Sequence, residues 1–261
     1  MKVTISKLHS YKNSKKITMI TAYDALFAKM FDEIVDIILV GDSLNMSFFG
    51  ESDTLGATIE QMIYHTKAVC NGAKSAYIVA DMPFGSYQTP QQALKNATKI
   101  FKETKADAIK LEGGVEKTET IKLLSDNAIA VVGHIGLMPQ FSRSEGGYKV
   151  KGKDEFSKQK LLKDAKAIEE AGAVLLVVEG VKEEVAKEIT QNVTIPVIGI
   201  GAGRYTDGQV LVWSDMLGFF DEFKPKFVKR YLNGAEIVKE AVKNYTKEVQ
   251  NQTFPTEAEI Y

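Results

Sequence analysis

Acidic side chains follow several apolar segments of this 261-residue sequence at the point where each segment ends. The run Ile37–Val40, for example, stops at Gly41 and is followed by Asp42. A carboxylate at the edge of a core is costly unless it has a partner. One such residue is weak evidence, because Asp and Ser also start turns and cap helices. A functional site is indicated because such residues recur at the ends of successive apolar segments. The ionisable residues in this position are Asp42, Asp81, Lys110, Glu112, His134 and Glu179.

If these segment ends converge, their side chains form a polar site. Lys110 and Glu112 are two residues apart, so both lie on one face of a strand. Carboxylates held close together need an opposite charge. Oxygen ligands favour a hard cation over zinc, and Mg²⁺ accepts a few carboxylates while keeping positions for water and substrate. The pattern predicts a metal or polar active site, and His134 is a further candidate within it.

The apolar segments alternate with amphipathic stretches rich in Lys and Glu, which indicates a parallel sheet covered by helices on both faces. About eight strands in about 250 residues favour a (β/α)8 TIM barrel, in which the carboxyl ends of all strands meet in one mouth. A doubly wound open sheet is the alternative. The predicted strands are 17–24, 36–43, 76–83, 107–114, 128–136, 173–180, 195–203 and, with the weakest pattern, 209–213.

Helical patterns lie between the strands, and no linker rich in Pro, Gly or Ser divides the chain. We therefore predict a single barrel domain over residues 1–261. We also predict an additional helix after the barrel, over residues 227–250, and an extended end over residues 251–261. The helices predicted between the strands are 58–71, 90–104, 117–126, 157–171 and 182–191.

Composition narrows the class of protein. The net charge of −1 offers no electrostatic footprint for nucleic acid or an anionic membrane. Cys70 is the only cysteine, which excludes an intramolecular disulfide and a cysteine-based zinc site. No apolar run approaches the roughly 20 residues of a membrane helix. The polar amino terminus lacks the apolar core of a secretory signal. These features predict a cytoplasmic protein.

Other polar features carry weaker signals. The glycine cluster 199–203 is similar to a dinucleotide fingerprint, but it lacks the full spacing and follows the seventh strand. Arg143 and Arg204 stand in glycine-bearing loops, where each would grip a carboxylate or stabilise the loop. His65 lies on a predicted helix beside Tyr64, where a structural role is the simpler interpretation.

Several segments, in the right order from about residue 17 to 220, closely resemble the ketopantoate hydroxymethyltransferase family. The carboxyl end, FPTEAEIY, is similar more loosely. The matching segments are TAYDA (21–25), GDSL (41–44), TIEQMIYHTKAV (58–69), ADMPFGSY (80–87), IKLEGG (109–114), VVGHIGLMPQ (131–140), GGYKVKGK (146–153), GIGAG (199–203) and TDGQVLVWSDMLG (206–218).

The resemblance implies a (β/α)8 TIM barrel of the phosphoenolpyruvate/pyruvate superfamily type, with an N-terminal helix over the bottom of the barrel that residues 4–13 would supply. It also implies a homodecamer. The implied reaction transfers a hydroxymethyl group from the co-substrate 5,10-methylenetetrahydrofolate to 3-methyl-2-oxobutanoate. The products are 2-dehydropantoate and tetrahydrofolate, in pantothenate and coenzyme A biosynthesis.

The resemblance also assigns roles to residues of this sequence. It implies Mg²⁺ ligands at Asp42, Asp81 and Glu112, and keto-acid contacts at Asp42, Ser43, Asp81 and Lys110. Glu179 corresponds to the general base that removes the proton next to the ketone, while the metal and Lys110 stabilise the enolate. His134 is a candidate for a supporting position beside the ligands.

Two positions depart from the family pattern near this site. Asn45 stands where glycine is common, and Met138 where threonine is common. Neither position is a ligand in the implied scheme. The departures bear on loop geometry and on the fit of the substrate.

Two other functions are weighed against this reading. A Mg²⁺-dependent carbon–carbon lyase or phosphonomutase of the same superfamily would use similar strand ends, but those lyases carry a cysteine in a mobile loop. Cys70 lies instead in a helical pattern. A non-catalytic ligand-binding barrel should have lost the carboxylates, and this sequence keeps them all.

Overall fold

The computed structural model describes residues 2–220 and 224–261. Its centre is a closed barrel of eight strands in sequential order, each parallel to its neighbours. The predicted (β/α)8 barrel is confirmed, and the open doubly wound sheet is wrong. The strands are β1 (Ile17–Thr21), β2 (Ile37–Val40), β3 (Tyr77–Asp81), β4 (Ala108–Glu112), β5 (Val131–Gly136), β6 (Leu175–Glu179), β7 (Val197–Ile200) and β8 (Gly208–Leu211).

The described residues form eleven α-helices, named here in chain order. The helices are α1 (Ile5–Tyr11), α2 (Ala25–Phe31), α3 (Leu44–Ser47), α4 (Ile59–Gly72), α5 (Pro90–Glu103), α6 (Thr118–Asp126), α7 (Ser142–Glu145), α8 (Glu155–Glu170), α9 (Glu183–Asn192), α10 (Trp213–Met216) and α11 (Gly234–Gln250). Two 3₁₀ turns, Val115–Lys117 and Pro139–Phe141, precede α6 and α7. None of these helices is both long and apolar enough to cross a membrane.

Local sequence explains where the longer helices begin. The Thr58 hydroxyl accepts a hydrogen bond from the Gln61 backbone N–H, and the Gln61 side-chain oxygen accepts one from the Thr58 backbone N–H, so α4 starts with a capping box. Thr89 caps α5, with Pro90 as its first residue. The predicted starts of these helices are therefore correct to within one residue.

The strands β2 to β7 are buried on both faces almost throughout, which explains their continuous apolar runs, whereas β1 and β8 each expose one residue. One set of side chains fills the barrel interior, including Met19, Leu39, Val79 and Val177. The other set packs outward against the helices and forms a second cluster. Because side chains alternate along a strand, every second residue of each strand points to the interior.

The bottom of the barrel is closed by the N-terminal helix. Thr4 caps α1, and Leu8, the buried residue of that helix, is fully enclosed. Leu8 and Val3 belong to the same apolar cluster as the interior residues Ile17 and Tyr77, which begin β1 and β3. The predicted N-terminal helix over residues 4–13 is confirmed as α1.

The described residues group into two compact units, the first ending at Val212 and the second beginning at Trp213. The barrel lies within the first unit, and one domain over 1–261 stays a prediction. In the second unit the Trp213 and Phe219 rings are 5.3 Å apart. The additional helix predicted for 227–250 begins later, at Gly234. After it, the Phe254 ring packs against Tyr245 at 5.7 Å.

Candidate active site

The carboxyl ends of β3 to β6 bring the predicted ionisable residues into the barrel interior. Asp81, Lys110, Glu112 and Glu179 each stand two or four residues after an interior residue of the same strand, and so does His134. The strand register places Asp81 beside Lys110 and Glu112 beside His134.

The strand ends of β2, β3 and β4 hold a compact ionic cluster. Asp42, just beyond β2, donates its backbone N–H to Asp81 Oδ2 at 3.0 Å. The Nζ atom of Lys110 lies 2.9 Å from Asp81 Oδ1. These three residues are at most 4% exposed, and Glu112 is 1% exposed. A Cβ on Gly41 would stand 2.7 Å from Ser43 Oγ, so glycine allows the chain to turn tightly into the cluster.

The charges of this cluster are unbalanced. Burial raises the pKa of the Asp42 carboxyl well above its usual range, and the neighbouring charges of Asp81 and Glu112 raise it further. Burial also raises the pKa of Asp81, although Lys110 opposes that shift. The pKa of Lys110 is raised despite its burial, because Asp81, Glu112 and Asp42 surround the ammonium group. Three carboxylates thus share one buried site with a single ammonium group, and their mutual repulsion disfavours full ionisation of the cluster.

His134 links the cluster to Glu179 on the next strand. Its Nδ1 lies 3.5 Å from Glu112 Oε1, and its Nε2 lies 3.3 Å from Glu179 Oε2. Burial and the Lys110 charge, with Nζ 3.3 Å from Nδ1, lower the pKa of the imidazole. The two neighbouring glutamates outweigh these effects and raise this pKa to about 9. His134 therefore bridges two glutamates, and the Glu179 side chain, 17% exposed, is the accessible one.

Ser43 occupies the start of α3, next to Asp42. Its Oγ is 2.7 Å from the hydroxyl of Tyr23, which is fully buried. Burial raises the pKa of Tyr23 to about 12, so its hydroxyl stays protonated and fixes the serine hydroxyl by a hydrogen bond. The structure thus places Ser43 at the edge of the cluster.

Two buried residues that the sequence did not single out complete the site, Gln140 and Tyr87. The Gln140 amide donates to Asp42 Oδ2 at 2.8 Å, and its backbone N–H donates to Glu112 Oε2 at 3.1 Å. The Tyr87 hydroxyl donates to Gln140 Oε1 and accepts from the Glu112 backbone N–H at 3.3 Å. Both residues fall in the segments ADMPFGSY and VVGHIGLMPQ, but nothing in the pattern distinguishes a buried amide from a loop amide.

The predicted site residues lie together at the carboxyl ends of the strands. The described part of the chain nevertheless contains no group of three or more His, Cys, Asp or Glu arranged to hold a metal ion. Donors of the protein meet carboxylate oxygens instead, from Lys110, from Gln140 and from the backbone of Asp42. The predicted Mg²⁺ ligand set stays a prediction, although its donors are the all-oxygen type that Mg²⁺ prefers.

The loops after β2 and β5 meet beside the site. Arg143 binds Asp53 through Nε at 2.9 Å and a second nitrogen at 2.8 Å, so it joins the two loops. Asn45, the first departure from the family pattern, is buried and donates to the Asp53 carbonyl at 2.8 Å. Met138, the second, is the extended residue before Pro139, where the 3₁₀ turn begins.

The remaining candidates have structural roles. Arg204 Nε lies 3.3 Å from Glu183 Oε1 on α9. The ring of His65 donates from Nδ1 to the Tyr23 carbonyl at 2.6 Å, as expected for a structural histidine.

Comparison with known proteins places these observations in context. The sequence profile described as Ketopantoate hydroxymethyltransferase matches residues 2–257. The 3-methyl-2-oxobutanoate hydroxymethyltransferase of Aliarcobacter butzleri (strain RM4018) is 64% identical over 260 residues, covering 100% of this chain and 97% of the relative. Those of Wolinella succinogenes and Helicobacter pylori (strain P12) are 62% and 60% identical, covering 99% and 100% of this chain and 99% and 96% of the relatives.

Solved structures resemble the chain in fold alone. Phosphonopyruvate hydrolase superposes with a TM-score of 0.65 at 12% identity, covering 100% of this chain and 92% of the other. The 2,3-dimethylmalate lyase, a PEP mutase/isocitrate lyase superfamily member, gives a TM-score of 0.61 at 14% identity over 100% and 93% of the two chains. These likenesses agree with the predicted (β/α)8 barrel fold, and the superfamily type stays a prediction.

Proposed function

Because this chain belongs to the ketopantoate hydroxymethyltransferase family, we propose that the cluster at the ends of β2 to β6 is where it carries out the family's reaction. The chain is a 3-methyl-2-oxobutanoate hydroxymethyltransferase of pantothenate biosynthesis. In the proposed reaction, 3-methyl-2-oxobutanoate loses its C3 proton and takes a one-carbon unit from 5,10-methylenetetrahydrofolate. The observation that carries this assignment is the buried cluster of Asp42, Asp81, Lys110 and Glu112 beside the accessible Glu179.

The proposed cation site consists of Asp42, Asp81 and Glu112. Burial and mutual repulsion disfavour the ionised form of Asp42, and a divalent cation would remove that penalty. When bound there, Mg²⁺ would act as a Lewis acid toward the keto acid and stabilise negative charge on its keto oxygen.

Lys110 and Ser43 would orient the keto acid. The ammonium of Lys110 is held in the charged state by the carboxylates around it, so it supplies a fixed positive charge in a buried site. The Ser43 hydroxyl, anchored by Tyr23, is a hydrogen-bonding group at the edge of the same cluster. Both groups would stabilise the charge that develops as the C3 proton leaves.

Glu179 is the proposed base. Its side chain is 17% exposed, whereas the Asp81 and Glu112 side chains are 3% and 1% exposed. It stands on β6, opposite the proposed cation ligands, so it is free to accept a proton. His134 Nε2 at 3.3 Å would hold one Glu179 oxygen in place, which orients the carboxylate.

The homodecamer implied by the resemblance belongs to this proposal as well. Val238, Val242, Tyr245 and Val249 lie on one face of α11, and each is 43–57% exposed. Exposed apolar stripes of this kind mark interaction surfaces. We propose that this stripe contributes to assembly with further copies of the chain.

Proton NMR of 3-methyl-2-oxobutanoate in D2O tests the reaction. With the protein and Mg²⁺ we expect loss of the C3 proton signal, followed by a hydroxymethyl signal when 5,10-methylenetetrahydrofolate is added. If the C3 proton exchanges but no hydroxymethyl signal appears, the assignment of the base stands and the one-carbon transfer step is not supported. If neither change occurs with folded protein, the proposal is wrong.

The lyase or phosphonomutase alternative is disfavoured, because the solved structures of those enzymes are only 12–14% identical to this chain.

A further inference from the structure

Gln140 is a single residue that touches two different strand ends of the site. It lies in the 3₁₀ turn that follows β5, and it is 5% exposed. Its Nε2 donates to Asp42 Oδ2 at 2.8 Å and to the Met82 carbonyl at 3.0 Å. Its backbone N–H donates to Glu112 Oε2 at 3.1 Å. The residue thus holds the carboxylates that follow β2 and end β4.

The partners of the amide determine its orientation. The Met82 carbonyl can only accept a hydrogen bond, so the NH2 group of Gln140 must face it. The amide oxygen then points to Tyr87, whose hydroxyl donates to it. Tyr87 is itself held, because Lys117 Nζ lies 5.0 Å from the centroid of its ring. Both ends of the amide are therefore fixed before any ligand binds.

We propose that Gln140 is a positioning residue for the divalent cation. It engages Oδ2 of Asp42 and Oε2 of Glu112, and so fixes the orientation of two of the three carboxylates proposed to hold the cation. Without the amide, two buried carboxylates of like charge would rotate apart, and cation binding would have to order them. This inference rests on the proposed cation site at Asp42, Asp81 and Glu112.

The test measures the affinity for Mn²⁺ directly, by electron paramagnetic resonance of the free ion, so it does not depend on turnover. Gln140→Met keeps the volume and the backbone N–H but removes the amide. We expect 10–100-fold weaker Mn²⁺ binding, the loss typical for residues that orient metal ligands. Tyr87→Phe removes only the hydroxyl, which donates to the amide oxygen and accepts from the Glu112 backbone N–H, and we expect a smaller loss in the same direction.

Gln92→Met is the matched control, because the Gln92 amide also donates to a carbonyl, that of Gly85 at 3.0 Å, but on α5. Its Mn²⁺ affinity should equal that of the wild type. Unchanged affinity in folded Gln140→Met, with folding verified by thermal unfolding, would overturn the positioning role alone. If Gln140→Met does not fold, unchanged affinity in Tyr87→Phe overturns it.

Asp81→Asn separates that result from failure of the proposed function. If the wild type binds Mn²⁺ and Asp81→Asn does not, the cation site stands and the Gln140 variant decides the inference. If Asp81→Asn binds Mn²⁺ as the wild type does, the cation is not held at this cluster. The proposed cation site and the positioning role then fail together.

Discussion

Glu179 differs from the other carboxylates of the site because its side chain remains partly accessible. We expect Glu179→Gln to bind 3-methyl-2-oxobutanoate with little change but to lose about 10²–10⁴-fold in turnover, as removal of a general base does. Loss of the C3 proton in D2O measures the step directly. Glu184→Gln, an exposed glutamate on α9, is the control. Exchange at the wild-type rate in Glu179→Gln would remove the base assignment.

Asp81 contacts both Lys110 and the backbone of Asp42, so it is central to the buried charges. We expect Asp81→Asn to weaken Mg²⁺ binding and keto-acid binding together, each by at least about tenfold, since a ligand oxygen and its charge are lost. Isothermal titration calorimetry measures both affinities. Asp126→Asn changes an exposed partner of Lys122 and should leave them unaltered. Asp81→Asn with both affinities unchanged would contradict the ligand assignment.

Which residues reach the site could be predicted from the sequence only in part. A carboxylate after an apolar run is visible because the run itself predicts the strand and its end, as for Asp81 and Glu112. The roles of Tyr87 and Gln140 were not visible, since their contacts cross from one loop to another. Such contacts depend on the folded positions of loops, which no local pattern specifies.

At the scale of elements, the longer helices between the strands were predictable from their patterns and the short ones were not. The capping signals at Thr58 and Thr89 identify α4 and α5, because the cap is local chemistry. The seven-residue helix α2 was missed, although Asp24 caps it, because one to two turns show too little periodicity. The first predicted strand, 17–24, overran the end of β1 at Thr21 and included that cap.

Glu169 joins the end of α8 to the segment before β7. Its Oε1 accepts from the Thr194 backbone, from the Thr194 hydroxyl at 2.7 Å and from the Ile195 N–H at 3.3 Å, and Lys166 binds the other oxygen. Burial raises the pKa of this carboxyl, but these bonds outweigh burial and lower it to about 2. The ionised form therefore stabilises the fold.

A lowered pKa contributes stability that is complete above the unfolded pKa of about 4.5 and disappears as the pH falls toward about 2. We expect Glu169→Gln to lower the free energy of unfolding at pH 7 by up to about 3 kcal/mol. The difference from the wild type should shrink below pH about 4.5. Urea unfolding at several pH values measures it, with the exposed Glu170→Gln as control. A pH-independent difference would contradict the electrostatic origin.

At the scale of the whole molecule, the stripe on α11 predicts association. We expect the wild type to have a native mass several times the 28.8 kDa of one chain, and ten times that mass for the proposed decamer. The double variant Val238→Asp and Val242→Asp should shift the mass to smaller species, because charges replace exposed apolar contacts. Light scattering after size exclusion measures both.

Lys247→Asp is the control for that variant, since it changes the net charge by the same amount on the opposite face of α11. It should keep the native mass. If the double variant assembles like the wild type, the stripe does not contribute to assembly, and the decamer must depend on other surfaces.

The helix α1 closes one end of the barrel with Leu8. Both substrates of the proposed reaction would then enter and leave through the same opening, at the carboxyl ends of the strands. The groups proposed for the keto acid, Lys110 and Asp81, are deep and at most 4% exposed, while Glu179 lies nearer the opening. We therefore expect ordered kinetics, in which the keto acid binds before the folate and tetrahydrofolate is released before the product formed from the keto acid.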